Sequence, residues 1–516
     1  MTRVRLSLTI VVMGLAGCAM PPRTADERVS AQLATLAPAP QRPWADDGPA
    51  VPAHADPIGT PEHAGDAGMS GKAGDAGTPE HAGDAGMSAR DEDAGMPPPP
   101  VGADDPMLQA LIAQALRHND DVEAARARLD VARMARGLAE QRRWPTPGFA
   151  VRQSESAGGG GRVGGERFSQ TSASLTLAQP LDIGGELSRR AQAAHAQTVA
   201  LEFAREDVQR RLVVEVSGAY WRIAYLDREA ALRDAALRDA LQLASLVQTR
   251  HRLGEVSGDD VARAARQVAA RRGACAAIAG EQAGARHALR RLLAVADPAA
   301  APLRDRFTLP EVARLPAIDP GLPAHLLARR PDLRAQEWRL RETARLVDAT
   351  HASFYPRMAL TGSLGTASDS LSNWLRHPVA TLIAELSFPV LEWRARPWRI
   401  GAADAQARLA LSEFAHTLHQ ALREVEDGLS GRRRHLAERA AMQTRLAAAA
   451  REAELACARY RAGETGIAPW LERRAARRDA EATLLRLRYD LAVDAVTLQQ
   501  ALGGALIPIK ESAGPG

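Results

Sequence analysis

The residues that could carry chemistry are sparse in this chain, and their spacing matches no catalytic site. No G-x-S-x-G, H-E-x-x-H, P-loop or C-x-x-C sequence occurs, which leaves enzymatic chemistry without support. His416 and His419 lie three residues apart in a long charged segment, a spacing that favours solvated or interhelical histidines over a metal site. Cys275 and Cys457 lie inside helical patterns, where buried free thiols are the default and a disulfide between them is the alternative. The sequence therefore predicts no enzyme, no cofactor and no metal.

Cys18 is the residue whose surroundings indicate a covalent modification. Arg3 and Arg5 precede an apolar run at 6–15, which suits a secretory signal and is too short to span a bilayer. The tripeptide L-A-G before Cys18 resembles a bacterial lipobox. That resemblance implies removal of residues 1–17 and a lipid anchor on Cys18. The alternative is an ordinary signal peptide with an incidental cysteine.

Residues 18–104 differ in composition from the rest of the chain. The twelve-residue sequence at 59–70 recurs verbatim at 77–88, and the surroundings are rich in glycine, proline and aspartate. Such sequence offers too little apolar surface to offset the entropy of ordering. We therefore expect 18–104 to be a flexible tether. The chain as a whole carries a formal charge of only +4 and has no base-stacking module, so nucleic acid is not an expected partner.

The chain beyond the tether repeats itself once. A helical pattern at 116–143 ends before Trp144-Pro145 and changes to a period of two, and the pattern from Pro331 does the same at Tyr355-Pro356. Three landmarks recur roughly two hundred residues apart, far beyond the period of solenoid repeats. They are Asp121 with Asp332, Gln179-Pro180 with Phe388-Pro389, and Arg250 with Arg459. The predicted units are 105–300 and 318–505, with a linker at 301–317 and a tail at 506–516.

Each unit combines a very long helix with two strands. Residues 186–252 and 398–461 read as helices on the order of 100 Å long, with coiled-coil-like spacing of leucine and alanine. Apolar and polar residues alternate at about 149–156, 168–179, 357–367 and 379–388. Alternation over such lengths is what a membrane barrel strand needs. Leu382, Leu386 and Phe388 should then face lipid, and Glu385 the lumen.

Four strands cannot cross a bilayer alone, because their edges would leave backbone groups unpaired in hydrocarbon. Two chains would give eight strands, whose interior is filled by side chains, whereas three give twelve and leave an open duct. The expected fold class is an α+β membrane protein. It combines a long antiparallel α-helical barrel with four β-strands per chain in a shared twelve-stranded trimeric β-barrel, built from an internal tandem repeat.

Three sequence runs resemble the outer membrane factor family, the exit ducts of tripartite efflux pumps. They are A-R-R-P-D-L-R from Ala328, F-Y-P-R-M-A-L-T-G-S-L-G from Phe354 and R-Y-R-A-G-E from Arg459. The resemblance implies a homotrimer in the Gram-negative outer membrane, lipid-anchored and with a periplasmic helical body. It also implies a periplasmic adaptor protein and an inner-membrane pump of the resistance-nodulation-division type, together exporting drugs or other small solutes.

The resemblance further implies a periplasmic gate at the turn 459–474, with 252–260 as its repeat partner. Glu472 matches the acidic position, Arg459 a basic link and Ala468 the hydrophobic constriction. Ala468 is smaller than the family pattern, so Trp470 is the candidate substitute. The partner turn contributes Arg252, Asp259 and Asp260. The alternative for Glu472 is that it merely stabilises a helix N-terminus by a few tenths of a kcal/mol.

Two other functions fit the same elements. One is an outer-membrane duct for type I protein secretion, which gene context would distinguish. The other is a lipid-anchored periplasmic coiled-coil scaffold without a pore. Single-channel conductance separates the scaffold from either duct.

Overall fold

The computed structural model describes residues 29–31, 102, 104–157, 167–295, 307–311, 329–368 and 378–504. These ranges are mostly helical, with one small antiparallel sheet. The main elements, in chain order, are α1 Pro106–His118, α2 Asp120–Gln141, β1 Thr146–Ala157, β2 Arg167–Leu181, α3 Glu186–Arg252, α4 Gly258–Leu292, α5 Pro331–Ala352, β3 Arg357–Ser368, β4 Pro378–Ser387, α6 Arg396–Arg461 and α7 Ile467–Ala501. A short 3-10 helix, Val390–Arg394, joins β4 to α6.

The long helices and the four strands lie where the periodicity predicts them. Helix α3 has 67 residues and α6 has 66, so each is roughly 100 Å long. One predicted helix is wrong at its start, because 116–143 is divided at Asn119. The Asn119 side chain accepts hydrogen bonds from the N–H groups of Asp121 at 2.9 Å and Val122 at 3.4 Å. This cap ends α1 and begins α2.

The sheet has the order β1-β2-β3-β4, and every pair is antiparallel. Among the described residues, β1 pairs only with β2 and β4 pairs only with β3. Both outer strands therefore present an unpaired backbone edge. The helices beneath the sheet form a row in which α2 packs on α3, α3 on α5, and α5 on α6. Farther from the sheet, the row continues as α4 on α3, α3 on α7, and α7 on α6.

The largest core surrounds the middle of α3. Tyr220 and Trp221 are almost fully buried there, against Leu108 of α1, Leu289 of α4 and Ala495 of α7. Each large apolar side chain removed from water contributes about 1.5–3 kcal/mol to stability. Four helices from both halves of the chain are thus joined in one core.

Two segments expected to stay outside the folded body are partly packed into it. Phe307 and Leu309 lie in the predicted linker 301–317, yet both are buried in the α3 core. Arg488 of α7 donates a hydrogen bond to the Leu309 carbonyl at 3.1 Å. Residues 29–31 form a helical turn within the predicted tether, and Val29 is 1% exposed against Leu340 and Ala410. In both segments apolar residues pack against helices that are distant in sequence. The composition of the segment alone could not predict that packing.

No helix in the described ranges combines the length and apolar character needed to cross a membrane.

Candidate functional site

One face of the sheet is apolar across all four strands. The register aligns Phe149, Leu175, Leu364 and Ala380 in one row. The next row in this direction aligns Pro147, Leu177, Gly362 and Leu382. The side chains of Phe149, Leu175 and Leu382 are 71%, 54% and 72% exposed. An apolar face this continuous, left open in a single chain, is typical of a surface that meets lipid or another protein.

The opposite face of the sheet is largely polar or small. Thr176 aligns with Ser363 and Thr381 across three strands. Nearer the helices, Ala359 aligns with Glu385. Leu382 and Leu386 therefore share one face and Glu385 lies on the other, as the period-two pattern predicts. Phe388 falls one residue beyond the end of β4.

The outer helices of the row carry exposed apolar stripes close to the sheet. On α2, Val131, Met134 and Leu138 follow three- and four-residue steps and are 61–70% exposed. On α6, Trp398 and Leu409 are 79% and 59% exposed. Both stripes lie on the helices that flank the two unpaired sheet edges.

The turn between α6 and α7 holds the predicted gate residues. Gly463 adopts a left-handed φ of 76°, and the Glu464 N–H donates to the Arg459 carbonyl at 3.0 Å, which closes the end of α6. Trp470 stacks on Tyr460 with ring centroids 5.6 Å apart. Glu472 is exposed in the second turn of α7, beyond the first turn where the helix dipole acts most strongly.

Ala468 is half-buried in the first turn of α7, two residues before Trp470. The two predicted turns adjoin each other. A Cβ placed on Gly466 would lie 3.4 Å from an Arg250 Nη atom near the end of α3. The structure thus brings both turns to the same end of the helical body.

All three predicted residues of the turn between α3 and α4 have local structural roles. Asp260 and Ser257 form a capping box, and the Ser257 hydrogen bonds lower the pKa of Asp260. Arg252 donates to the Thr249 hydroxyl at 3.2 Å. Asp259 lies in the first turn of α4, a favourable place for a carboxylate. These contacts give the three residues structural roles within the turn. Their role in a gate stays a prediction.

A buried ion pair above this turn is one that the sequence did not predict. Asp239 of α3 is 7% exposed, and it pairs with Arg478 and, at 3.6 Å, with Arg474 of α7. Arg474 also lies over the Trp470 ring at 5.5 Å. Asp239 lies beside Ala236 and Ala240 on the buried side of α3. An acidic residue at a core-facing helical position was the sequence signal that could have predicted a buried ion pair here.

The cysteines divide into two groups. Cys18 lies outside the described residues. Cys275 and Cys457 are free, as expected, but half-buried rather than buried. Within the described part of the chain, no three His, Cys, Asp or Glu side chains are grouped to hold a metal ion.

The comparisons with known proteins agree with one another. The family model described as outer membrane efflux protein matches residues 111–295 and 322–504. Outer membrane protein OprJ of Pseudomonas aeruginosa is 30% identical over 424 residues, covering 78% of this chain and 84% of OprJ. Toluene efflux pump outer membrane protein TtgI of Pseudomonas putida is 26% identical over 411 residues, covering 78% and 86%. The Campylobacter jejuni CmeC outer membrane channel shares the fold, with a TM-score of 0.71 at 20% identity, covering 78% and 86%.

Proposed function

This chain belongs to the outer membrane efflux protein family, and from that premise we propose that it is the exit duct of a tripartite efflux system. The duct would pass drugs or other small solutes from an inner-membrane pump of the resistance-nodulation-division type and a periplasmic adaptor. The observation that carries this proposal is the sheet, whose apolar face is open and whose two edges are unpaired. The apolar face suits hydrocarbon, whereas the two unpaired edges would leave backbone N–H and C=O groups without partners there until the edges close.

We propose that three copies close the sheet into a twelve-stranded barrel. Edge β4 of one copy would pair with edge β1 of the next, because both edges otherwise expose a row of backbone groups. The same closure would bring α6 of one copy beside α2 of the next. The exposed stripe with Val131 and Leu138 would then cover the stripe with Trp398 and Leu409. Both stripes would leave water in a single step.

The tandem repeat predicts the register of this seam. Within one chain, Gln179 of β2 pairs with Leu360 of β3. The landmark Gln179-Pro180 matches Phe388-Pro389, and Trp144-Pro145 matches Tyr355-Pro356. Transferring the β2–β3 pair by these landmarks places Phe388 opposite Phe149 of the next copy. Two residues on, Leu386 falls opposite Val151. Phe149, Val151 and Leu386 lie on the apolar side of the sheet, and Phe388 continues the same alternation one residue beyond β4. The transferred register therefore keeps the two faces distinct.

Disulfide trapping tests the seam. With Cys275 and Cys457 replaced by serine, Val151→Cys combined with Leu386→Cys should give covalent trimers in outer membranes, since paired strands bring Cβ atoms within bonding reach. The control combines Val151→Cys with Glu385→Cys, which would place the thiols on opposite faces. Equal cross-linking in both variants, or none in the first, would contradict the register.

Conductance in planar bilayers tests the duct itself. The trimer should form discrete channels, whereas a periplasmic scaffold would form none. Absence of channels from a purified, cross-linkable trimer would overturn the duct.

Gene context separates drug efflux from type I protein secretion, because a gene for a resistance-nodulation-division pump next to this one would favour drug efflux.

We further propose that the turns at the far end of the helical body form a gate. Three copies would bring each turn residue into a ring, and a ring of Glu472 carboxylates would attract cations. The proposed gate residues are Arg459, Ala468, Trp470, Glu472, Arg252, Asp259 and Asp260. Glu472→Ala should weaken cation block, and Arg459→Ala should raise the resting conductance. Unchanged conductance and ion selectivity in both variants would leave Glu472 with no role in the gate.

A further inference from the structure

Several charged residues meet where the start of α5 contacts the end of α7 and the side of α6. They are more than is needed to join the two helix ends. Arg330 precedes α5 and donates to the Ala501 carbonyl at the end of α7 at 3.1 Å. It also binds Asp332 through two nitrogens, at 3.0 and 2.7 Å, and Glu424 at 2.8 Å. The Arg330 side chain is only 9% exposed. An extended ion network therefore fixes this junction.

A second junction in the same chain achieves the same connection without charge. Asn119 precedes α2, and its Nδ2 donates to the Leu292 carbonyl at the end of α4, at 3.1 Å. One neutral amide is thus enough to join the end of one helix to the start of another. The charges at the Arg330 junction exceed that requirement.

These charges surround a cavity of about 550 Å³ between α3, α5, α6 and α7. Its size lies within the range of small-molecule sites. The acids in its wall already have partners, because Asp332 and Glu424 accept from Arg330, and Asp207 pairs with Arg211 at 2.5 Å. Each of these three carboxylates therefore has an arginine partner.

Hydrogen-bond donors remain available in the same cavity. The Nε of Arg210 is buried and has no hydrogen-bond partner, while its two Nη atoms donate to Glu206 at 2.9 Å and to the Arg329 carbonyl at 3.3 Å. Arg339 lines the cavity. Among the described residues no hydrogen bond or ion pair includes Arg339, although its charge opposes the rise that burial causes in the pKa of the neighbouring Glu342. Helices α3 and α5 are antiparallel, because Arg334 contacts Phe203 whereas Trp338, farther along α5, contacts His195, which is earlier in α3. In any α-helix the side chains tilt toward the N-terminus. Arg210 and Arg339 therefore lean toward each other from opposite ends of the cavity.

We propose that this cavity binds a soluble oxyanion, a phosphate or carboxylate, between Arg210 and Arg339. An oxyanion can accept hydrogen bonds from more than one guanidinium group, here from the unpartnered Arg210 Nε and from Arg339. Arg210 lies 24 residues along α3 from its start beside the sheet, roughly 36 Å away. At that distance the headgroups of a membrane containing the sheet do not reach the cavity, so the anion comes from solution.

Isothermal titration of the full-length protein in detergent tests this site, with inorganic phosphate and citrate as probes. At least one probe should bind saturably. Arg339→Gln should weaken that binding about tenfold or more, since one charge-assisted hydrogen bond is lost. Arg339 is exposed, so the substitution should not disturb folding. Arg339→Lys should retain part of the affinity.

The matched control is Arg128→Gln. Arg128 is an exposed arginine on α2, at the place that corresponds to Arg339 when Asp121 is matched to Asp332. This variant should bind like the unchanged protein. No saturable binding of either probe, or equal binding by Arg339→Gln, would overturn the oxyanion site. The titration needs no open channel, so its outcome is independent of whether the duct proposal holds.

Discussion

Removing the charge of Asp239 should loosen the contact between α3 and α7. Asp239 is 7% exposed, and the Arg478 side chain that it pairs with is 11% exposed. In Asp239→Asn the arginine stays buried without its counter-charge, a change that typically costs about 3–5 kcal/mol. Arg478 keeps a hydrogen bond to the Ala235 carbonyl at 3.1 Å, so we expect the lower end of that range.

The matched control is a solvent-exposed ion pair on the same protein. Arg473 and Glu452 lie 2.8 Å apart, with side chains 58% and 55% exposed. Exposed pairs contribute about 0–1 kcal/mol, because solvent screens them. Glu452→Gln should therefore change little, although it removes the same charge from the same end of the molecule.

Hydrogen–deuterium exchange measures this difference locally. If the amides of α3 near Asp239 exchange through local opening, a loss of about 3 kcal/mol should speed their exchange roughly a hundredfold. Amides around Trp221 lie in the main core and should stay protected. Unchanged exchange in Asp239→Asn, or equal acceleration in Glu452→Gln, would refute the argument from burial.

Three further predictions concern the sheet, the anchor and acid stability. Leu382→Arg should impair membrane assembly by about 2–4 kcal/mol, because Leu382 lies midway along β4 and so near the bilayer midplane, whereas Glu385→Arg, on the opposite face, should assemble normally as judged by membrane fractionation. Cys18→Ser with a cleavable signal should still yield some outer-membrane trimer, because a closed barrel would be held in the membrane by its own apolar belt; wholly soluble monomer would contradict the barrel. Burial alone would raise the pKa of Asp105, but hydrogen bonds from Tyr220 and Thr308 lower it below the usual 3.8. The stabilisation is therefore complete above about pH 4 and lost as pH falls through the lowered pKa, so thermal unfolding of Asp105→Ala should depend less on acid than that of the unchanged protein.

The elements of this fold could be predicted because each has a regular period. The helices α3 and α6 repeat apolar residues every three or four positions, and the strands alternate. The Asn119 cap was missed because a single polar residue stops a helix without changing the surrounding pattern. Asp239 and Arg330 depend on partners far away in sequence, and periodicity cannot identify such pairs. The turns of the gate were located by resemblance, and their chemistry still awaits measurement.

The burial of Val29 divides the N-terminal chain into two independent lengths. Cys18 lies eleven residues before Val29, so an anchor at Cys18 can reach at most about 40 Å from the groove beside Leu340. The duplicated sequence at 59–70 and 77–88 lies on the other side of that fixed point. Lengthening a closed loop costs only about 0.6 kcal/mol per doubling. Evolution could therefore expand this insertion without moving the anchor, and a grafted epitope or domain placed there should leave the anchor's reach unchanged.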